Sequence, residues 1–204
     1  MVPGALTRLK RAIDLDPDNA LHHLWYGVAQ ERSSSLPEAV EAYRAAAAAD
    51  PKLAEAWERA GNLYSGVGRC EDAVPAYEKA LAAAPGALRV KIAIADCRGR
   101  QGKHEAAIRI LRDVLKADAK ATTVYYKMAR ALHESSGVKA AIPWYERAVR
   151  EEPENPMPYY YLGFAYKDRG QRAKAVQLFK QYLVKRPDAE DKQDIELEIE
   201  DLGG

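Results

Sequence analysis

Residues 54–87 read AEAWERAGNLYSGVGRCEDAVPAYEKALAAAPGA, and the spacing of the small, aromatic and proline residues in this stretch recurs along the chain. Glycine or alanine recurs every 34 residues, at Gly27, Gly61, Ala95, Ala129 and Gly163. Proline recurs with the same period, at Pro17, Pro51, Pro85, Pro153 and Pro187, and Ala119 fills the one slot that lacks it. A fixed period of this length indicates a repeat array in which each unit buries its apolar face against its neighbours.

Each period contains two short amphipathic helices. In residues 21–51 one apolar stripe at helical spacing runs from Leu24 to Ala29, and a second begins at Leu36. Three serines lie between the stripes, and serine favours turns and caps over helix interiors. Pro51 follows the second stripe and ends that helix. Because no strand-like alternation appears in the sequence, we predict an all-α fold of antiparallel helix pairs.

These residues resemble the tetratricopeptide repeat, whose pattern places aromatic, small and proline residues at fixed positions of a 34-residue unit. Residues 54–87 fill the pattern with Trp57, Gly61, Tyr64, Ala73, Tyr77, Ala80 and Pro85. Residues 156–189 fill it with Tyr159, Gly163, Tyr166, Ala175, Phe179 and Pro187, and place Tyr182 where the pattern has alanine. The resemblance implies a right-handed superhelical solenoid of antiparallel helix pairs, whose concave groove is lined by the first helix of each pair.

The repeat register divides the chain, taken as a single domain of residues 1–204, into consecutive parts. We predict an N-terminal half repeat at 5–19, five units at 20–53, 54–87, 88–121, 122–155 and 156–189, and an acidic solvating helix at 190–202. The solvating helix is expected because an array needs a final element that covers its last apolar face. Residues 88–121 are the unit that departs most from the pattern.

Charge is unevenly distributed, although the formal net charge is only +1. Residues 188–204 carry eight acids against one lysine, whereas residues 1–187 carry 30 basic and 22 acidic side chains. Residues 88–121 alone hold nine basic residues against four acids. This basic stretch fits an acidic partner, the acidic tail of the chain itself, or a solvated face. We expect no nucleic-acid partner, because the basic residues occur on both helices of the unit and no base-stacking platform accompanies them.

The compartment is inferred from apolar runs and cysteines. No window approaches about 20 uninterrupted apolar residues, so we expect no direct membrane insertion. Cys70 and Cys97 do not make a disulfide framework and fit free thiols in a reducing compartment. We therefore predict a cytoplasmic location, and a periplasmic one stays open if the chain is a processed or excised segment.

Catalytic constellations are missing from the pattern. His22, His23, His104 and His133 have no metal-ligand spacing with one another or with the cysteines. Gly66-Val67-Gly68 lacks the remaining glycine and the lysine of a phosphate-binding loop, and no serine stands in a nucleophile elbow. We predict a protein that is not an enzyme and has no cofactor and no metal.

The resemblance assigns positions 2, 5, 9 and 12 of each unit to the groove. The residues that we select there as partner-binding are Asn62, Arg89, Tyr126, Arg130, His133, Met157, Tyr160, Phe164 and Lys167. Tyr126, Met157, Tyr160 and Phe164 are the strongest candidates, since aromatic residues dominate binding hot spots and methionine adapts to varied partners. The alternative is that these four side chains pack within the array.

Family members that clamp the C-terminal carboxylate of chaperones use lysine at position 5 of one unit. Here position 5 holds Leu24, Glu58, Ile92, Tyr126 and Tyr160, so that clamp is absent.

The function predicted from these observations is a non-enzymatic scaffold that binds a protein or peptide segment in its groove, within a bacterial multiprotein assembly. One alternative is the docking arm of a larger enzyme, such as a repeat-bearing glycosyltransferase. A second is an envelope, pilus or motility assembly factor. The pattern leaves the oligomeric state open, and self-association is compatible with it.

Overall fold

A computed structural model describes residues 2–204 of the chain, which contain twelve α-helices and no β-strand. The helices are α1 Val2–Leu15, α2 Ala20–Arg32, α3 Leu36–Ala49, α4 Ala54–Gly66, α5 Cys70–Ala83, α6 Leu88–Arg100, α7 His104–Ala117, α8 Val124–Ser136, α9 Val138–Glu151, α10 Met157–Asp168, α11 Arg172–Lys185 and α12 Lys192–Asp201. This confirms the predicted all-α fold. The helices group into two compact units, one ending at Gly102 and the other beginning at Lys103.

In the first unit, α2 packs against α3 and α4 packs against α5 as helical hairpins. The two helices of a pair approach closely because a glycine of the first helix faces an aromatic ring of the second. A β-carbon added to Gly61 would lie 2.6 Å from the ring of Tyr77, and one added to Gly27 would lie 2.6 Å from Tyr43. Both tyrosines are almost completely buried. The 34-residue glycine ladder thus marks the places where the two helices of a pair meet.

The turn inside each hairpin needs a left-handed backbone. Gly68 provides it between α4 and α5 with a φ of 81°, and glycine adopts this conformation without steric cost. Ser34 holds the same place in the preceding hairpin with a φ of 62°. Ser34 is the only residue other than glycine with a positive φ among residues 2–204, and a side chain is strained in that region.

The second unit contains two complete hairpins, α8 with α9 and α10 with α11, and closes with α12. A β-carbon on Gly163 would lie 2.5 Å from Phe179, so the glycine–aromatic contact of the first unit recurs here. Ile195 and Ile199 of α12 are buried in the same hydrophobic cluster as Phe179 and Tyr182. The acidic helix therefore covers the apolar end of α10 and α11, as expected of a capping helix.

Candidate functional site

The selected partner-binding residues fall into two groups. Asn62 and Arg89 belong to the first unit, on α4 and α6. The other seven belong to the second unit, on α8 and α10, and are Tyr126, Arg130, His133, Met157, Tyr160, Phe164 and Lys167. The structure brings the aromatic members of the second group together, and it gives several of the polar members partners within the chain.

Arg89 in the first unit is held by a neighbouring acid. Its guanidinium donates two hydrogen bonds to the Glu58 carboxylate, from Nε at 2.5 Å and from Nη2 at 2.7 Å. This bidentate geometry is the strong form of the arginine–carboxylate pair. The Arg89 side chain is nevertheless three-quarters exposed, which keeps the pair largely screened by water. A partner that binds through Arg89 has to compete with Glu58.

Asn62 and His133 share a structural role, because each meets the hydroxyl of a buried tyrosine in its own hairpin. Tyr77 donates to the Asn62 side-chain oxygen at 2.8 Å, and the Tyr145 hydroxyl lies 3.4 Å from His133 Nδ1. A buried hydroxyl without a partner is costly, so these contacts stabilise the hairpins. Packing accounts for both residues without any external partner.

Five side chains of α8 and α10 form a partly exposed surface, which we call the aromatic face: Tyr126, Met157, Tyr160, Tyr161 and Phe164. The Tyr126 and Tyr161 rings have centroids 6.1 Å apart, and Tyr161 meets Tyr160 edge to face at 5.2 Å. Tyr160 in turn meets Phe164 at 4.9 Å. These separations lie within the favourable range for aromatic pairs, so the four rings form one continuous surface.

A second layer of aromatic rings supports the aromatic face from behind. Tyr145 stacks on Tyr161 with centroids 5.7 Å apart and planes only 6° from parallel. Tyr182 contacts Tyr160 at 5.2 Å, and Phe179 contacts Phe164 at 4.9 Å. The three supporting rings are at most 1% exposed. Their contacts hold the exposed rings in fixed positions, which lowers the entropy lost when a ligand binds.

Burial also determines the ionisation of these tyrosines. It raises the pKa of Tyr126 and of Tyr145 well above the ordinary value, because a phenolate is poorly solvated there. The hydroxyls of Tyr126 and Tyr145 are therefore neutral throughout the physiological range.

Two basic side chains flank the aromatic face. The Arg130 guanidinium carbon lies 5.8 Å from the centre of the Tyr161 ring, and Lys167 Nζ lies 5.8 Å from the centre of the Phe164 ring. Both distances fall within the range of cation–π attraction. Lys167 also forms an ion pair with Glu198 of α12. Lys167 is thus held between an aromatic ring and a carboxylate.

The carboxylates of α12 and of the residue before it lie along the same side as Tyr160. Tyr182 donates its hydroxyl proton to Asp191 at 2.7 Å; burial and this hydrogen bond raise the pKa of Tyr182 to about 12. Burial raises the pKa of Tyr160 as well, and the negative charges of Asp191, Asp194 and Glu198 add to that effect. The aromatic face therefore has an acidic border on its α12 side.

Selection by repeat position missed two parts of this surface. Tyr161 stands at position 6, which the family geometry does not assign to the groove, yet it joins Tyr126 to Tyr160. The acidic border was missed because the position count stopped at residue 189. When the 34-residue register is continued from residue 190, positions 2, 5, 9 and 12 are Asp191, Asp194, Glu198 and Asp201. The sequence thus contained a signal for the border.

Within residues 2–204, no three histidine, cysteine, aspartate or glutamate side chains are grouped so that they could hold a metal ion. Over the same range, no helix combines the length and the apolar character needed to cross a bilayer. Cys70 and Cys97 are both buried as free thiols.

Solved structures with the same fold include PilW and YrrB. PilW, described as a widely conserved type IV pilus biogenesis factor, matches with a TM-score of 0.78 and 20% identity, over 95% of this chain and 90% of that one. YrrB, described as a TPR protein with an unusual peptide-binding site, matches with a TM-score of 0.71 and 18% identity, over 93% of this chain and 97% of that one. At these identities the likeness concerns the fold alone.

One curated relative is similar in sequence. Superkiller protein 3 of Schizosaccharomyces pombe is 27% identical over 128 residues, which make up 63% of this chain. The matched segment spans only 9% of the length of that relative.

Family models of the tetratricopeptide repeat match most of the chain. One model matches residues 2–54 and 126–190, and a second matches residues 65–132. The matched ranges include the Gly27–Tyr43 and Gly163–Phe179 contacts and the helices that carry the aromatic face. The chain belongs to the tetratricopeptide repeat family.

Proposed function

We propose that this protein is a non-enzymatic scaffold that binds a segment of a partner protein on the aromatic face. The observation that carries the proposal is the contrast between two layers of rings. Tyr145, Phe179 and Tyr182 are fully buried, whereas Tyr126, Tyr160, Tyr161 and Phe164 in front of them keep part of their surface in water. A contiguous aromatic surface of this kind is typical of an interaction site.

The composition of the aromatic face favours a protein segment as the occupant. Tyrosine rings offer large apolar area together with a hydroxyl, and they lose little conformational entropy because only two torsions are fixed. Met157 at the start of α10 adds an adaptable apolar side chain. Arg130 and Lys167 place positive charge on the rim, where charge affects orientation and association rate more than affinity.

The comparisons favour the scaffold class over a catalytic one, since proteins of this family act mainly by holding other proteins. YrrB is described as having a peptide-binding site and PilW as a pilus biogenesis factor. By analogy of fold, we propose that this chain works within a bacterial multiprotein assembly, of which a pilus or envelope assembly is one form. The short overlap with Superkiller protein 3 favours a second candidate, a repeat region that docks substrates for a larger protein.

For the compartment, we propose the cytoplasm. Two buried cysteines that remain unpaired fit a reducing environment.

The proposal is tested by capturing partners from the native host with the wild-type chain and with variants of the aromatic face. Tyr160→Ala combined with Phe164→Ala removes two rings, and Met157→Lys places a charge on the surface without removing a ring. Val184→Lys is the matched control, because Val184 is 74% exposed on α11, outside the aromatic face. We expect the Val184→Lys control to retain the partner. Both other variants should bind the partner about 30-fold more weakly, which corresponds to the loss of a hot spot worth about 2 kcal/mol.

Circular dichroism separates loss of binding from loss of folding. Tyr160 and Phe164 contact buried rings, so the double variant is expected to melt at a lower temperature while remaining helical at the temperature of capture. Met157→Lys is expected to melt close to the control. Equal retention of the same partners by all four proteins would refute the proposed binding surface.

A further inference from the structure

The ion pair between α10 and α12 shows how this surface holds a cation. Lys167 Nζ is bound to the Glu198 carboxylate while it lies 5.8 Å from the centre of the Phe164 ring. The site therefore consists of one aromatic ring from α10, one carboxylate from α12, and a cation supplied by the chain itself. Aromatic rings and carboxylates reinforce each other in binding ammonium and guanidinium groups.

A second pair of an aromatic ring on α10 and a carboxylate on α12 stands one helical turn earlier, and there no cation of the described residues forms an ion pair with the carboxylate. Four residues before Phe164 stands Tyr160, and four residues before Glu198 stands Asp194. Residues four apart lie on the same helix face, so Tyr160 and Asp194 repeat the arrangement of Phe164 and Glu198. The residue four before Lys167 is Gly163, which has no side chain to offer.

The contacts of Tyr160 and the charges around it agree with this arrangement of Tyr160 and Asp194. Tyr160 lies against Tyr182, whose hydroxyl donates a hydrogen bond to Asp191, so Tyr182 links Tyr160 to the acidic border. Asp194 is exposed and forms no ion pair with any lysine, arginine or histidine of residues 2–204. The positive charge of Arg186 acts on the Tyr182 hydroxyl, while the negative charges of Asp191, Asp194 and Glu198 act on Tyr160.

We infer that the Tyr160 ring and the Asp194 carboxylate form a subsite for a lysine or arginine side chain of the bound segment. The partner is then a segment that presents at least one basic residue beside apolar ones, with its cation above Tyr160 and its apolar residues on the rest of the aromatic face. This inference rests on the proposed function, because it names the chemistry of the segment that the aromatic face binds.

The test uses a random library of twelve-residue peptides displayed on phage, selected against the full wild-type chain. Peptides whose binding is lost in the Tyr160→Ala, Phe164→Ala variant are sequenced, and their content of lysine and arginine is compared with that of the unselected library. We expect enrichment of basic residues and depletion of acidic ones. Selected peptides that depend on the aromatic face but are neutral or acidic would overturn the inference while leaving the proposed function in place.

A charge reversal then locates the subsite. Asp194→Lys removes the carboxylate and supplies a lysine of its own to Tyr160, so we expect the dissociation constant of a selected peptide to rise at least about tenfold. Glu200→Lys makes the same charge change at an exposed residue of α12 on a different helix face, and we expect less than about a twofold rise there. If both charge reversals raised the dissociation constant equally, the preference for basic peptides would come from the overall negative charge of α12. That result would refute a subsite at Tyr160 and Asp194.

A selection that yields no peptide dependent on the aromatic face also overturns the inference, since no basic segment then binds there. The proposed function is judged separately, by the capture of native partners with the Met157→Lys and Val184→Lys variants.

Discussion

At the scale of single residues, the repeat depends on a few positions where only certain residue types fit, because of the space available or the backbone conformation. The glycine of the first helix in a pair is one of them, because an aromatic ring of the second helix occupies the space of its β-carbon. The turn residue is another, because its φ is positive. The small residue recurs every 34 residues as glycine or alanine, so the sequence revealed its position before the structure did.

Gly61→Ala tests the close approach of the two helices. The added methyl group would meet the Tyr77 ring at 2.6 Å, and we expect the free energy of unfolding to fall by about 1–3 kcal/mol from overpacking. Gly66→Ala in the same helix is the control, since no atom lies within 4 Å of its added β-carbon. Urea unfolding of both variants measures the difference. A Gly61→Ala protein as stable as the Gly66→Ala protein would show that the ring moves aside without cost.

Ser34→Gly tests the strained turn between α2 and α3. Glycine relieves the positive φ but adds freedom to the unfolded chain, and we expect a net gain of about 0.5 kcal/mol in stability. Ser33→Gly is the control. Ser33 has a φ of −92° and donates a hydrogen bond to the Gln30 carbonyl oxygen at 2.9 Å, so glycine there is expected to destabilise. Equal thermal shifts in the two variants would argue against strain at Ser34.

At the scale of elements, helices and their pairing were predictable while parts of the candidate site were not. The apolar stripes, the serines and the prolines indicated where helices begin and end. The link through Tyr161 was not visible, because it depends on rings from α8, α9 and α10 meeting in space. The pairing of Lys167 with Glu198 joins residues 31 apart, and no local pattern encodes such a contact.

The capping role of α12 gives an expectation at the same scale. Ile195 is 1% exposed in the core of the second unit, whereas Leu197 on the same helix is 59% exposed. We expect Ile195→Ala to lower the free energy of unfolding by about 2–5 kcal/mol, the usual cost of emptying a buried aliphatic site. Leu197→Ala should change it by less than about 0.5 kcal/mol. Similar denaturation midpoints for the two variants would contradict the assignment of α12 as a cap.

At the scale of the whole molecule, buried tyrosines in both units make the folded protein lose stability at high pH. Burial raises the pKa of Tyr77 and of Tyr182 to about 12, and a hydrogen bond to Glu146 together with burial does the same for Tyr166. The unfolded chain ionises its tyrosines near pH 10. The stability from these groups is therefore complete below about pH 10 and is lost as the pH rises toward 12.

We accordingly expect helicity at 222 nm to disappear between about pH 10 and pH 12, with tyrosinate absorbance at 295 nm rising over the same range. Absorbance that reaches its full value near pH 10 while the helices persist would mean that these hydroxyls are accessible in the folded protein. Below about pH 10, a change in pH should not alter the stability of the fold through these tyrosines.

Photo-crosslinking in the native host is the sharpest test of whether a partner segment lies on the aromatic face. A photoreactive phenylalanine analogue replaces Phe164 in one protein and Val184 in another. We expect a covalent partner adduct from position 164 and none from position 184. An adduct from position 184 with none from position 164 would show that the partner binds outside the aromatic face.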